Sequence, residues 1–203
     1  MKTIAYYGDS FCASDRNDSW CVLLADWLGC NIMRLGIGGS SIWSTFLEFE
    51  QDQKTGSLAD YIIFCWTDSH RLYHPTLPLT PQNQPIAGTD PAVWKAADDY
   101  YKYLSFQHKD NIAYSYALQW FDKKILHNIK ENNTIVQMWS MLPFKIKLES
   151  GIFLEESCLV HSWDGDLNFK NDVDLDLSNH MTVQQNESWA KKIYDRIKEG
   201  KND

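Results

Sequence analysis

The stretch ADYIIFCW, residues 59 to 66, is the clearest buried strand in the chain, ending in six uninterrupted apolar residues. What makes it constraining is the company it keeps. KTIAYYG (2 to 8) has strand composition and stops at a glycine, and SWCVLLADWLG (19 to 29) has helical apolar spacing with Gly29 as a C-terminal stop. CNIMRLGIGGSS (30 to 41) reads as a second strand running into a glycine-rich turn, and SIWSTFLEFEQDQ (41 to 53) as a second helix. Strand, helix, strand, helix, strand predicts a mostly parallel central sheet covered by helices on both faces, a three-layer α/β/α sandwich.

Downstream the pattern is less regular. Residues 69 to 93 include HPTLPLTPQNQPIAGTDP, with five of the six prolines, and read as an inserted functional or flexible loop. A long helical segment is expected over 93 to 131, with a break near SFQHKDN. TIVQMWSM (134 to 141) follows as a fourth strand, then a loop-rich region from 142 to 178. TVQQNESWAKKIYDRIKEG (182 to 200) closes the chain as an amphipathic helix with basic residues near its C-terminal end. No repeat or linker interrupts the 203 residues, and 44% hydrophobic content is enough for one core, so residues 1 to 203 are expected to form one domain.

Charge and cysteine content narrow the partners. Nineteen Lys and Arg against 27 Asp and Glu give a net charge of −8, which argues against a nucleic-acid partner held through phosphates. No apolar run approaches the roughly 20 residues that span a bilayer, so no membrane segment is expected. MKTIAYYGDS lacks the apolar core and cleavage site of a signal peptide, which predicts cytoplasmic synthesis. Five cysteines without a CxxC pair indicate neither a disulfide framework nor a zinc site. Trp66, Tyr73, Trp94 and Trp163 fall in or beside segments read as loops, where rings can stack on sugars, although filling the core is the commoner use of any one of them.

In an open parallel sheet, ligands bind beyond the C-terminal ends of the strands. Three such ends carry marked residues: Gly8-Asp9-Ser10, the Gly36 to Gly39 turn, and Trp66-Thr67-Asp68. Ser10 is a candidate nucleophile, because a serine at a strand end needs only a base, an orienting acid and donors for an oxyanion. The base is expected to be His180, in DLDLSNHMT before the last helix, oriented by Asp176 as the nearer acid; the alternatives are Asp174 or a Ser-His dyad held by a backbone carbonyl. The oxyanion donors would be the N–H groups of Ser10 and Gly39 and the hydroxyl of Thr67. Asp9, Trp66, Asp68 and Arg71 are candidate substrate-binding residues; Arg71 suits a carboxylate or phosphate, or an ion pair with Asp68. Gly36, Gly38 and Gly39 lack the G-x-G-x-x-G spacing of a dinucleotide loop, and DGDLNFKNDVDLD (164 to 176) lacks calcium-loop spacing, so no cofactor or metal is expected. His161 and Asp164 read as a loop pair.

GDSF after the first strand, LGIGGSS after the second, a polar-Asp pair after the third and DLSNH before the last helix together resemble the four blocks of the SGNH, or GDSL, hydrolases, from residue 4 to about 197. The resemblance implies the flavodoxin-like three-layer fold of that family and a metal-independent esterase, lipase, thioesterase or carbohydrate deacetylase activity. It also implies Ser10 as nucleophile and first oxyanion donor, Gly39 as second donor and His180 as base. Two positions depart from the pattern. Thr67 stands where the family has an oxyanion Asn, and Leu177 stands where the Asp-x-x-His block has its acid. The expected substrate is a short-acyl ester, such as an O-acetyl group on a small molecule or glycan. The alternative is a weak or inactive carbohydrate-binding or structural module, and a homo-oligomer or a place in a larger assembly is compatible with either.

Overall fold

The computed structural model describes residues 1–81, 85–162 and 178–200. The expected alternation is present: β1 (Lys2–Gly8), α1 (Trp20–Leu28), β2 (Cys30–Arg34), α2 (Ile42–Lys54) and β3 (Tyr61–Trp66). They are followed by α3 (Pro91–Tyr103), α4 (Gln107–Lys124), β4 (Thr134–Trp139), β5 (Ile152–Ser157), α5 (Cys158–Ser162) and α6 (Val183–Glu199). The five strands pair in the order β2-β1-β3-β4-β5, every pairing parallel, with helices on both sides of the sheet. It is a three-layer α/β/α fold.

Alternation along the strands divides the core into two halves. Ile4, Tyr6, Ile63, Cys65, Val136 and Met138 face α1 and α6, where Trp20, Leu24, Trp189 and Ile193 meet them. Ala5, Tyr7, Ile62, Phe64, Trp66, Ile135 and Trp139 face α2 and α4, where Phe46, Phe49, Leu118 and Phe121 form an aromatic-rich layer. β3 is buried over its whole length because it lies between β1 and β4 with a helical layer on each face.

The break expected near SFQHKDN divides the helical segment into α3 and α4, separated at Leu104–Phe106; Phe106 sits at the start of α4 with extended backbone and no side-chain cap. Two expectations change. The region 142 to 178 contains a fifth strand and a short helix, because the GIFLEESC stretch packs Leu154 and Cys158 into the core at the sheet edge. The proline-rich stretch is packed rather than free over its described part. Leu72 and Leu79 form an antiparallel bridge, Tyr101 Oη donates to the Leu79 carbonyl at 2.7 Å, and Leu79 joins Trp94 and Ala97 in a satellite core. Among the described residues no helix is long and apolar enough to cross a membrane.

Candidate active site

β1 ends against β3, and the chain must turn sharply there. A Cβ on Gly8 would lie 2.3 Å from the Cys65 carbonyl oxygen, so only glycine permits this closeness. Asp9 then caps a 3-10 turn (Ser10–Cys12): its Oδ1 accepts the Phe11 N–H at 3.0 Å, while the Cys12 N–H bonds to its carbonyl at 3.1 Å. This turn presents Ser10 at the C-terminal edge of the sheet.

The loop after β2 closes onto that turn. Gly36 N–H donates to the Cys12 carbonyl and Ile37 N–H to the Gly8 carbonyl, both at 2.9 Å, and Ser40 Oγ donates to the same Gly8 carbonyl at 2.8 Å. Gly39 has φ +74, a left-handed conformation that favours glycine. Among the described residues, neither the Ser10 N–H nor the Gly39 N–H is hydrogen-bonded within the chain. These are the two backbone groups expected to be oxyanion donors.

His180 comes from the other end of the chain and lies 2.9 Å, Nε2 to Oγ, from Ser10. Its placement has a local cause. Ser178 and Met181 exchange two backbone hydrogen bonds of 3.0 Å across Asn179 and His180, whose φ values of 52° and 60° are those of a type I′ turn. The turn is clamped from below: Asn186 Nδ2 donates to the Ser178, Met181 and Thr182 carbonyls, and Asn186 Oδ1 accepts the Trp20 N–H at 2.9 Å. Asn179 Oδ1 accepts the Ser14 N–H at 2.8 Å, and the His180 ring packs on Phe11 with centroids 4.8 Å apart. With the proton on Nδ1, Nε2 accepts the Ser10 hydroxyl proton. Asp176 and Asp174, expected as the orienting acid, lie outside the described residues, as do Trp163 and Asp164; among the described residues no carboxylate is paired with His180.

The third strand end differs from expectation in its side chains. The Thr67 hydroxyl, expected to face an oxyanion, donates its single proton to Asp9 Oδ2 at 2.7 Å and is buried. Asp9, expected to bind substrate, is fully buried; its Oδ2 also accepts Ser140 Oγ at 2.8 Å and pairs with Arg71 Nη2 at 3.1 Å. Trp66 is likewise core rather than ligand surface, stacked on Phe64 with Nε1 donating to Gln137 Oε1. Trp94 is buried in the satellite core, whereas Tyr73 is exposed. Asp68 accepts the His70 N–H at 2.9 Å, and its expected ion pair with Arg71 is replaced by the Arg71–Asp9 pair.

Ser140, Asn179 and Asn186 are contributors that sequence reasoning missed. Ser140 directly follows β4, so its strand-end position was the available signal; nothing local marks the two asparagines. Cys12, two residues after Ser10, is no rival nucleophile. Its hydrogen bond to the Cys65 thiol, together with burial, pushes its thiol pKa well up, so it stays protonated.

Beside Gly38 and Gly39 opens a cleft of about 350 Å³, lined by Ser41, which caps α2, by Ser44, Leu47 and Glu48 of α2, and by the Leu72 to Pro78 segment. Burial raises the Glu48 carboxyl pKa, opposed by the Arg34 guanidinium. This volume suits a small molecule, and its lining mixes the Ser41, Ser44 and Glu48 side chains with Leu47 and Tyr73. Compared with known proteins, the chain matches no family model, no curated protein and no solved structure.

Proposed function

We propose that the chain is a serine hydrolase of the SGNH type that cleaves short-acyl carboxylic esters, with an O-acetyl group on a carbohydrate as the substrate class. The observation that carries this reading is the 2.9 Å contact between Ser10 Oγ and His180 Nε2, with the Ser10 and Gly39 N–H groups left without a hydrogen-bond partner among the described residues. Ser10 attacks the acyl carbon while His180 takes the hydroxyl proton, and the carbonyl oxygen becomes an oxyanion facing the Ser10 and Gly39 N–H groups. His180 then returns the proton to the leaving alkoxide, and a water activated by the same histidine releases the acid. The carbohydrate assignment is supported by the small cleft at Gly39, whose lining includes the exposed ring of Tyr73.

A second reading, a carbohydrate-binding module that turns over little, is favoured by one observation: the Thr67 hydroxyl is donated to Asp9, which leaves the oxyanion two backbone donors and no side-chain donor from position 67. One pair of measurements separates them. Hydrolysis of p-nitrophenyl acetate, butyrate and octanoate is expected to fall with chain length and to vanish in Ser10→Ala, and a fluorophosphonate is expected to label Ser10. Absence of both turnover and labelling in the wild type would leave the binding module.

A further inference from the structure

Arg71 lies at the junction of the two loops that carry the backbone donors. Its Nη2 is 3.1 Å from Asp9 Oδ2, and its Nη1 donates to the Ser40 carbonyl at 3.3 Å. Asp9 is the cap of the Ser10 turn, and Ser40 directly follows Gly39. One guanidinium therefore spans the residue before the first donor and the residue after the second. Its side chain is only 11% exposed and the Asp9 carboxylate is fully buried, so the bridge works with little competition from water.

Around the same carboxylate oxygen sit the hydroxyls of Thr67 and Ser140, which close the Asp9 environment from β3 and β4. Three strand ends and the β2 loop are thus tied through Asp9. An oxyanion hole acts through donors about 2.7–3.1 Å from the developing charge, and a misplacement on the order of 1 Å costs roughly 100-fold. With no side-chain donor from position 67, the hole depends on the fixed separation of two backbone N–H groups.

We propose that Arg71 is a positioning residue that sets this separation, by bridging Asp9 to Ser40, and that it acts in place of a third donor. The inference rests on the serine-hydrolase reading. A planar fork with several N–H groups can reach a carboxylate and a carbonyl at once, whereas a single ammonium on a flexible stem holds a bridge less rigidly.

The experiment compares wild type, Ser10→Ala, Arg71→Ala and Arg71→Lys on p-nitrophenyl acetate, with fluorophosphonate labelling and circular dichroism of each. In Arg71→Ala, kcat is expected to fall on the order of 100-fold with little change in KM. Guanidinium chloride well below denaturing concentrations should restore part of that kcat, while sodium chloride and ammonium chloride at the same ionic strength should not. Arg71→Lys keeps the charge and is the second variant should Arg71→Ala fail to fold; it is expected to fold and still lose kcat. A folded Arg71→Lys with wild-type kcat would overturn the bridge while leaving the hydrolase intact, and so would a folded Arg71→Ala whose kcat is unchanged or unresponsive to guanidinium. A wild type that neither labels nor exceeds Ser10→Ala overturns the hydrolase reading, and the inference with it.

Discussion

Gly36 shows how tightly single residues define the site. A Cβ there would lie 2.5 Å from Cys12 Sγ and 2.8 Å from the carbonyl oxygens of Gly8 and Asp9, so backbone as well as a side chain would have to move. Gly36→Ala is expected to destabilise the protein by about 1–3 kcal/mol and to lower turnover more than substrate binding, since the displaced atoms belong to the turn bearing Ser10. Urea unfolding and a kcat against KM comparison check both parts. At this scale the positions of Ser10, Gly39 and His180 in the fold were legible, because each occupies a strand end or a pre-helix turn whose position follows from the element order. The burial of Asp9, Thr67 and Trp66 was not. Whether a polar side chain at a strand end turns outward to a ligand or inward to a carboxylate depends on neighbours from other strands, here Ser140 and Arg71.

Elements bring a different kind of information. The described part of the proline-rich stretch has a fixed anchor, since Tyr101 of α3 reaches back to it: its hydroxyl donates to the Leu79 carbonyl and accepts the Leu72 N–H at 3.3 Å. Burial raises the Tyr101 pKa to about 12 from an ordinary 10. A phenol that ionises less readily when folded supports the fold fully below its unfolded pKa, and that support is lost as pH rises from about 10 through about 12. Tyr101→Phe is therefore expected to unfold at lower urea than wild type at neutral pH, and to lose less additional stability between pH 9 and pH 11.5. Equal alkaline losses in the two proteins would show that Tyr101 is not a contributor. β5 was harder to read than α2 or α6, because Ile152–Ser157 is an edge strand in which only Leu154 and Ser157 are buried.

For the whole molecule the sheet order has the largest consequence. β3 lies between β1 and β4 with one core half on each face, so its amides are expected to exchange slowest, and those of the edge strands β2 and β5 faster; native-state hydrogen exchange measures the ranking directly. Faster exchange in β3 than in β2 would contradict that ranking. Short apolar runs alternating with amphipathic helices determined a parallel, doubly covered sheet from sequence alone, because burying both faces of such strands leaves few other arrangements. The same local signals also marked where the chain leaves the sheet, and hence which residues gather at its C-terminal edge. Only the tertiary structure decided which of those residues touch one another. Ser10 meets His180 across 170 positions of sequence, and a buried Asp9 gathers Thr67, Ser140 and Arg71. Those pairings arise from distances between strands and loops, which no local pattern encodes.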